Sequence, residues 1–477
     1  MLLKRLYDDG LAQASYLVGS ESTGEALVID PLRDLEPYLA VAADEELRIT
    51  HVTETHIHAD FLSGARDLVR LTGARLLLSA EGGPDWQYRF AADERAELLR
   101  DGDRFTVGEI QVDVRHVPGH TPEHLVYLVT DSAAADRPLG IFTGDFIFVG
   151  DVGRPDLLER AAHVADTMES SARALFQSLR AMREYPDYLQ LWPGHGPGSA
   201  CGKTLGALPS TTLGYERLFN WAFQATDEDE FVRTVLAGQP EPPKYFGRMK
   251  LLNRDGPAAR PSNAVAVLDD GTFAARLAEG TATIVDSRPS ATFTRGFIPG
   301  TINIPAGRSF TTWAGSLLSP DGDIILIAEH ERRARDLIRE LSLIGLDRVA
   351  GWVDAGIVDR WQNAGRKLNR VRTIDARGLE ALDDAVVVDV RADSEWNEGH
   401  IPGARHIFLA DLMDEAHELP RDLPVVIACQ GGSRSSIGTS LLRARGFENV
   451  INFSGGFAEW QRNGLPIETD DAAAPSR

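Results

Sequence analysis

The stretch Thr55-His-Ile-His-Ala-Asp60 decides how the first half of this 477-residue chain is interpreted. It follows the apolar segment Ile49–Val52, whose length and composition are typical of a strand. In a loop that leaves a strand, alternating residues can converge on one small volume. His56, His58 and Asp60 are therefore candidate metal ligands, because imidazole and carboxylate groups commonly bind transition metals.

Three more polar residues follow apolar strands and stand beside glycine, where a loop can turn a side chain into a pocket. A lone histidine belongs to a core more often than to a metal site, but four such elements in one order favour a metal centre. The three later residues are His120 in Pro118-Gly-His-Thr-Pro122, Asp145 in Phe142-Thr-Gly-Asp-Phe146 and His195 in Trp192-Pro-Gly-His-Gly196.

Together these motifs resemble the metallo-β-lactamase superfamily over residues 1–240. The resemblance implies a four-layer αβ/βα sandwich. The two-metal hydrolases of that superfamily have histidine after the loop aspartate, whereas this chain has Phe61. A phenyl ring cannot bind a metal ion, so we expect a site for a single metal.

The segment Gly144–Asp156 resembles the persulfide dioxygenase branch of the superfamily. This resemblance implies one Fe(II) per chain bound by His56, His120 and Asp145, a ligand set used in non-heme iron oxygen chemistry. It also implies that a low-molecular-weight thiol persulfide reacts with O2 to give sulfite. A zinc site that uses some of the same residues is the alternative. The residues expected to surround and orient the ligands are His58, Asp60 and His195.

Cys201 lies in the glycine-rich segment Gly198–Lys203, six positions after His195. We expect this loop at the mouth of the pocket, where Lys203 would favour the thiolate. Two roles stay open for the cysteine: it relays persulfide sulfur, or it is a small buried side chain that fills the core.

The second half of the chain contains an internal repeat. Ile284-Val-Asp-Ser-Arg288 matches Val387-Val-Asp-Val-Arg391, and Gly296–Gly300 matches Gly399–Gly403, both at an offset of 103 residues. Apolar strands alternate with helical segments, which predicts two α/β copies with parallel sheets. The copies are expected at 263–366 and 370–470, after a proline-rich packed connector at 241–262 and before a flexible tail at 471–477.

The strand Val425–Ala428 ends at Cys429, which opens a short glycine-rich loop before a helix. Backbone N–H groups of such a loop point inward and lower the pKa of a thiol. Cys429 is therefore a candidate nucleophile that carries persulfide sulfur, and Arg434 adds positive charge. The other residues of this cradle are Gln430, Gly431, Gly432, Ser433 and Ser435.

The last copy resembles the rhodanese sulfurtransferases, and the first copy resembles it without the reactive loop. After Ala328 the first copy continues with Glu329 and His330, so it has neither the cysteine nor the loop glycines and is predicted not to transfer sulfur. The segments that carry the resemblance in the last copy are the Cys429 loop, Asp389-Val-Arg391, Gly399-His-Ile-Pro-Gly403 and Gly455-Gly-Phe-Ala-Glu-Trp460.

Composition limits the compartment and the partners. The chain has 49 Lys and Arg against 71 Asp and Glu, a net charge of −22, so neither nucleic acid nor an anionic membrane is an expected partner. The N-terminus lacks the long apolar core of a signal peptide. Two cysteines far apart in sequence fit a reducing cytoplasm and exclude a disulfide framework.

The order of the domains resembles the multidomain persulfide dioxygenase–sulfurtransferases of bacterial sulfide detoxification. It predicts an α/β and α+β multidomain enzyme that oxidises a persulfide at iron and transfers sulfur at Cys429, forming or consuming thiosulfate. The alternative is a zinc thioester hydrolase of the glyoxalase II type fused to a thiosulfate sulfurtransferase. The carrier thiol, the direction of sulfur transfer and the oligomeric state stay open, although the resemblance suggests a homo-oligomer.

Overall fold

A computed structural model of the chain describes residues 1–160, 167–260, 265–382 and 384–469. The chain divides into two compact units. The first comprises Met1–Pro261 with Ser342–Gly345, and the second comprises Ser262–Leu341 with Leu346–Arg477. The tail expected at 471–477 lies outside the described residues. No helix within the described ranges is long and apolar enough to cross a membrane.

The first unit contains two sheets. In the first sheet, six described strands run in the order β1-β2-β3-β4-β5-β6. The pairs β1/β2 and β2/β3 are antiparallel, and the strands from β3 to β6 are parallel. These strands are β1 (Leu2–Asp8), β2 (Gln13–Ser20), β3 (Glu25–Ile29), β4 (Arg48–Thr53), β5 (Arg75–Ser79) and β6 (Glu97–Leu99).

The second sheet has the order β12-β11-β10-β9-β8-β7 among the described strands. It is antiparallel except for the parallel pair β10/β11. Its strands are β7 (Arg104–Val107), β8 (Ile110–His116), β9 (Leu125–Asp131), β10 (Gly140–Gly144), β11 (Gln190–Pro193) and β12 (Thr211–Thr212).

Helices cover the outer faces of both sheets. The inner faces pack on each other through side chains such as Leu27 and Val112, while Leu68 and Leu175 belong to the separate outer cores beneath the helices. This is the expected four-layer sandwich. The helices are α1 (Glu36–Asp44), α2 (Ala65–Thr72), α3 (Leu157–Arg160), α4 (Met168–Ala181), α5 (Leu213–Phe219), α6 (Trp221–Gln224), α7 (Glu228–Leu236) and α8 (Phe246–Asp255).

The second unit begins with the copy that lacks cysteine. Its described sheet is parallel, in the order β14-β13-β15-β16. The strands are β13 (Ala282–Asp286), β14 (Ile302–Asn303), β15 (Asp323–Ala328) and β16 (Val349–Asp354), and the helices are α9 (Asp270–Glu279), α10 (Ser290–Phe293), α11 (Phe310–Leu317), α12 (Glu331–Leu343) and α13 (Ile357–Asn363).

The last copy repeats this arrangement with one more described strand, in the order β17-β21-β20-β18-β19. Its strands are also parallel, as predicted. They are β17 (Arg372–Ile374), β18 (Val386–Asp389), β19 (Arg405–His406), β20 (Val425–Ala428) and β21 (Val450–Phe453). The helices are α14 (Ala376–Glu380), α15 (Asp393–Asn397), α16 (Leu412–Glu415), α17 (Ser433–Ala444) and α18 (Gly456–Arg462).

The two motifs that revealed the repeat are joined by hydrogen bonds in each copy, through an arginine that contacts an aspartate and a glycine carbonyl (the Arg–Asp–glycine lock). In the first copy, the buried Arg288 donates to Asp286 at 2.6 Å and to the carbonyl of Gly296 at 3.0 Å. Because a buried charge needs a partner, this lock explains why both motifs recur together. The corresponding residues of the last copy are Arg391, Asp389 and Gly399, with distances of 2.7 and 2.8 Å.

Replacing Gly119 by alanine should destabilise the first unit and displace His120. Gly119 has a φ of +151°, and an added Cβ would lie 2.5 Å from the Cβ of Leu175 in α4. Gly73 is the control, since its φ of +71° also strains alanine but no described atom lies within 4 Å of the added Cβ. Gly73→Ala should cost about 1 kcal/mol, and Gly119→Ala about 1–3 kcal/mol more.

Thermal unfolding of the two full-length variants measures this difference. The melting temperature should fall clearly further for Gly119→Ala than for Gly73→Ala. Equal melting temperatures would contradict the close packing of this turn against α4.

Candidate functional site

The candidate metal site lies where strands from both sheets end. His56 follows β4 of the first sheet, whereas His120 and Asp145 follow β8 and β10 of the second. Strands β8 and β10 run in the same direction because both are antiparallel to β9. Loops at the carboxyl ends of these strands therefore meet at one edge of the sandwich.

Three of the predicted residues come together as a buried cluster. One ligand atom from each of His56, His120 and Asp145 lies within 4.8 Å of the others. The Nε2 of His120 is 3.5 Å from Oδ2 of Asp145. Neither carboxylate oxygen of Asp145 has a hydrogen-bond partner among the described residues, although both are buried. An isolated buried carboxylate is costly, so this cluster fits a bound cation.

The surrounding residues orient the imidazole of His120. Its Nδ1 donates to the carbonyl of Arg154 at 3.0 Å, which leaves the lone pair on Nε2 facing Asp145. Arg154 is itself fixed by two hydrogen bonds to Asp156, at 2.7 and 2.6 Å, and by one to Ala200. A backbone carbonyl that holds the outer nitrogen is a common support for a metal-bound histidine.

The charges of the cluster suit a divalent cation. Burial lowers the pKa of both His56 and His120, which keeps their rings neutral. Burial alone would raise the pKa of Asp145, but His195, His56 and His120 outweigh it and hold that pKa well below its usual range. The site thus offers two neutral imidazoles and one carboxylate, the donor set of many non-heme Fe(II) sites.

His58 does not join this cluster through Nε2. That atom lies 3.1 Å from Oδ1 of Asp30 and 3.1 Å from Oε2 of Glu54. Burial opposes protonation of His58, but the two carboxylates raise its pKa well above the usual value. Phe61 is fully buried, with its ring 4.4 Å from the ring of His58. The apolar ring of Phe61 therefore takes the place of the imidazole that two-metal hydrolases use.

Sequence reasoning missed three residues that support the site. His124 accepts a hydrogen bond from the backbone N–H of Asp145 at 3.1 Å and stacks on His56. Asp30 directly follows β3, and Glu54 directly follows β4. A polar residue at the end of a strand was the sequence signal that could have indicated both. Their pairing with His58 across separate loops was not visible in the sequence.

A second buried group adjoins the first. It consists of Asp60, His195 and Cys201, whose ligand atoms also lie within 4.8 Å of one another. His195 donates from Nδ1 to the carbonyl of Ala12, and its Nε2 lies 3.3 Å from Oδ2 of Asp145. The two groups therefore share one buried region, with Asp145 between them.

The side chain of Cys201 fits the second of its two expected roles, a small buried residue, whereas the expected effect of Lys203 is wrong. The side chain of Cys201 is buried and does not stand at an open mouth. Lys203 does not favour a thiolate, because its Nζ donates to the carbonyl of Thr234 at 2.7 Å. Burial raises the pKa of Cys201 to about 12, so the thiol is neutral near pH 7.

In the last copy, Cys429 sits within the loop that joins β20 to α17. The backbone N–H of Gly432 donates to its Sγ at 3.1 Å. Gly432 has a φ of +93°, and an added Cβ would collide with the carbonyl of Ser454. Glycine is therefore required for the backbone to approach the sulfur.

Three side chains expected in the cradle have other partners. Ser435 donates to Oδ1 of Asn452 at 2.7 Å, and Gln430 accepts a long hydrogen bond from Arg391. Arg434 forms a bidentate ion pair with Glu395, at 2.5 and 2.7 Å. The positive charge of Arg434 is therefore balanced by Glu395. The hydroxyl of Ser435 stabilises the loop through its bond to Asn452. Gly431 and Ser433 are exposed at the rim of the loop, whereas Gly432 is buried beside the sulfur.

The corresponding loop of the first copy has no sulfur chemistry among its described residues. Glu329 and His330 are exposed there. The Nδ1 of His330 accepts a hydrogen bond from the backbone N–H of Arg333 at 3.1 Å, as a helix cap does.

Comparison with known proteins identifies both units. The metallo-beta-lactamase superfamily matches residues 8–195, and the rhodanese-like domain matches residues 269–364 and 376–463. A crystal structure of a metallo-beta-lactamase from Staphylococcus aureus is 40% identical, covers 74% of this chain and 99% of its own length, and has a TM-score of 0.67. This chain belongs to the metallo-β-lactamase superfamily. It also carries two rhodanese-like domains in tandem.

Two further relatives cover about half of this chain or less. Hydroxyacylglutathione hydrolase from Rhodospirillum rubrum is 31% identical over 38% of this chain, and the match spans 60% of that hydrolase. The crystal structure of ETHE1 from Myxococcus xanthus is 26% identical, covers 53% of this chain and 98% of its own length, and has a TM-score of 0.43.

Replacing His120 by alanine should abolish tight metal binding. Loss of an outer hydrogen bond to a ligand already weakens binding about 10–100-fold, so loss of the ring itself should cost at least as much. His116 is the matched control, because it is half-buried at the end of β8 and donates to the carbonyl of Pro122. Metal per chain, measured by plasma mass spectrometry, should fall only in His120→Ala. Equal loss in both variants would contradict the assignment.

Proposed function

We propose that the first unit is a non-heme Fe(II) persulfide dioxygenase. The observation that carries this proposal is the buried group of His56, His120 and Asp145, which offers two neutral imidazoles and one carboxylate. Phe61 stands where the two-metal hydrolases have a further imidazole. Two-histidine, one-carboxylate sites leave open positions for substrate and O2. We expect one iron per chain.

The reaction proposed is R–S–SH + O2 + H2O → R–SH + SO3²⁻ + 2 H⁺. A bound Fe(II) would bind and activate O2, and the four electrons that reduce O2 come from the outer sulfur of the persulfide, which becomes the sulfur of sulfite. The chain positions the donors: the carbonyl of Arg154 fixes the ring of His120, and His124 fixes the backbone of Asp145. Phe61 and Phe148 are fully buried beside the histidines, where they exclude water from the persulfide.

Of the two roles left open for Cys201, the small buried side chain is proposed, because sulfur transfer needs a thiolate and burial keeps this thiol neutral. Its thiol lies beside His195, within 4.8 Å of the ligand atoms of that group. His58, Asp60 and His195 are proposed to orient the ligands and substrate rather than to bind the iron. The carrier thiol is proposed to be small, such as glutathione or coenzyme A.

The last rhodanese-like domain is proposed to transfer sulfur at Cys429. In this step the cysteine persulfide passes its outer sulfur to sulfite: Cys–S–S⁻ + SO3²⁻ → Cys–S⁻ + S2O3²⁻. A new S–S bond forms to the sulfite sulfur, and the electron pair of the broken S–S bond stays on Cys429. The N–H of Gly432, which donates to Sγ, stabilises that negative charge. The reverse reaction consumes thiosulfate and loads Cys429.

The two reactions together fit sulfide detoxification in the cytoplasm. Sulfite made in the first reaction is the acceptor in the second, and joining both centres in one chain raises its local concentration. The two free cysteines suit a reducing compartment.

A zinc thioester hydrolase is the second candidate for the first unit. The similarity to hydroxyacylglutathione hydrolase favours it. Phe61 and the pairing of His58 with Asp30 and Glu54 weigh against it, because they remove donors from a second metal position.

Cys429→Ser should separate the two activities. On glutathione persulfide, the iron-loaded variant should consume O2 at the wild-type rate but form no thiosulfate, because sulfur transfer needs the thiolate. O2 uptake is measured with an oxygen electrode, and thiosulfate by chromatography. Equal thiosulfate from the variant would refute the role of Cys429. Thioester turnover without O2 uptake, even after Fe(II) loading, would favour the hydrolase.

A further inference from the structure

A cavity lies between the two rhodanese-like copies, beside the Cys429 loop. Its volume is about 570 Å³. One wall is formed by Gly431, Gly432 and Ser433 of the loop, and the facing wall comes from the copy without cysteine, through Thr294 and Arg295 among others. Because Gly432 donates to Sγ of Cys429, the loop that holds the sulfur also lines the cavity.

The lining of the cavity contains one positive charge and several hydrogen-bond donors. Among the described residues that line it there is no carboxylate, although the chain has a net charge of −22. The lining consists of one guanidinium together with hydroxyl, amide and backbone groups. The hydroxyl-bearing residues are Ser290, Thr294, Thr373, Ser433 and Ser454.

Arg295 is the guanidinium of this cavity, and its charge is not balanced by a neighbour. Its Nε donates to the carbonyl of Ala291 at 2.8 Å, and it forms no ion pair with any described residue. Arg434 and Arg391 differ, since Glu395 and Asp389 neutralise them. The uncompensated positive charge beside the Cys429 loop is therefore supplied by the other copy.

The contacts between the copies fix the two walls in place. The backbone N–H of Asn303 in β14 donates to Oγ of Ser440 in α17 at 2.8 Å. The carbonyl of Thr294 accepts from the backbone N–H of Val371 at 3.0 Å. Helix α17 begins at Ser433, so the loop and the Arg295 segment are held by the same packing.

From this arrangement we infer that the cysteine-less copy provides the sulfur-oxyanion subsite of the neighbouring sulfurtransferase, with Arg295 as its positioning residue. The inference rests on the sulfur transfer proposed for Cys429. The ligand is sulfite or thiosulfate, a small dianion that a guanidinium and several hydroxyls recognise by charge and hydrogen bonding. Bound there, the anion lies next to the loop that presents the persulfide.

Kinetics of the full-length protein test this inference. With thiosulfate as donor and cyanide as acceptor, Arg295→Gln should raise the KM for thiosulfate about tenfold with a smaller change in kcat, because one charged hydrogen bond is lost. Arg295→Lys should recover part of the loss. Arg332→Gln is the control, since Arg332 is an exposed arginine of the same copy that does not line the cavity. An unchanged KM in Arg295→Gln would overturn the inference.

A binding measurement separates this inference from the proposed reaction. Calorimetric titration of thiosulfate into Cys429→Ser should show binding that weakens about tenfold when Arg295→Gln is added. Equal binding in both proteins, or none in either, would overturn the subsite. Binding that depends on Arg295 in a protein whose wild type transfers no sulfur would retain the subsite and refute the sulfur transfer.

Discussion

The buried carboxylate of Asp145 is the constraint on which the first unit depends. A carboxylate in a dry interior needs an opposite charge, and neither oxygen has a hydrogen bond among the described residues, although Nε2 of His195 lies 3.3 Å from Oδ2. The rings of His56 and His120 are neutral and turn a nitrogen lone pair toward the same volume, so a divalent cation satisfies all three groups at once. Loops from both sheets must meet at one edge to build this arrangement. The sandwich brings these loops to the same edge. The tight turn at Gly119 and the carbonyl of the buried Arg154 then position His120.

The second unit shows one fold used for two tasks. Both copies keep the Arg–Asp–glycine lock, with Arg288 in the first and Arg391 in the last, because it stabilises the domain whatever the domain does. Only the last copy keeps a cysteine at the end of its central strand. The first copy places Arg295 at the cavity that the Cys429 loop also lines, and the proposed subsite uses this positive charge to bind an anion. Loss of the cysteine therefore does not make the copy an inert spacer.

The family resemblance predicted the layers, and local sequence signals predicted the parallel sheets and the residues of the candidate metal cluster, which follow strands in glycine-flanked turns. Partners across separate loops were not predictable from those signals. The pairing of His58 with Asp30 and Glu54 joins two loops, and the ion pair of Arg434 with Glu395 joins two helices. The sequence indicated that Arg434 follows the Cys429 loop, where the structure places it in the first turn of α17, but it could not show that its charge was already balanced. The burial of Cys201 was not predictable for the same reason, because it depends on packing against distant residues and not on the neighbouring glycines.

X-ray absorption at the iron K-edge of the full-length protein, loaded with iron under anaerobic conditions, tests the central claim most directly. A single ion bound by two imidazoles and a carboxylate predicts a shell of nitrogen and oxygen atoms with no iron–iron scattering. A second metal at about 3.5–4 Å, as in two-metal hydrolases, would contradict the account. That result would favour a two-metal hydrolase for the first unit.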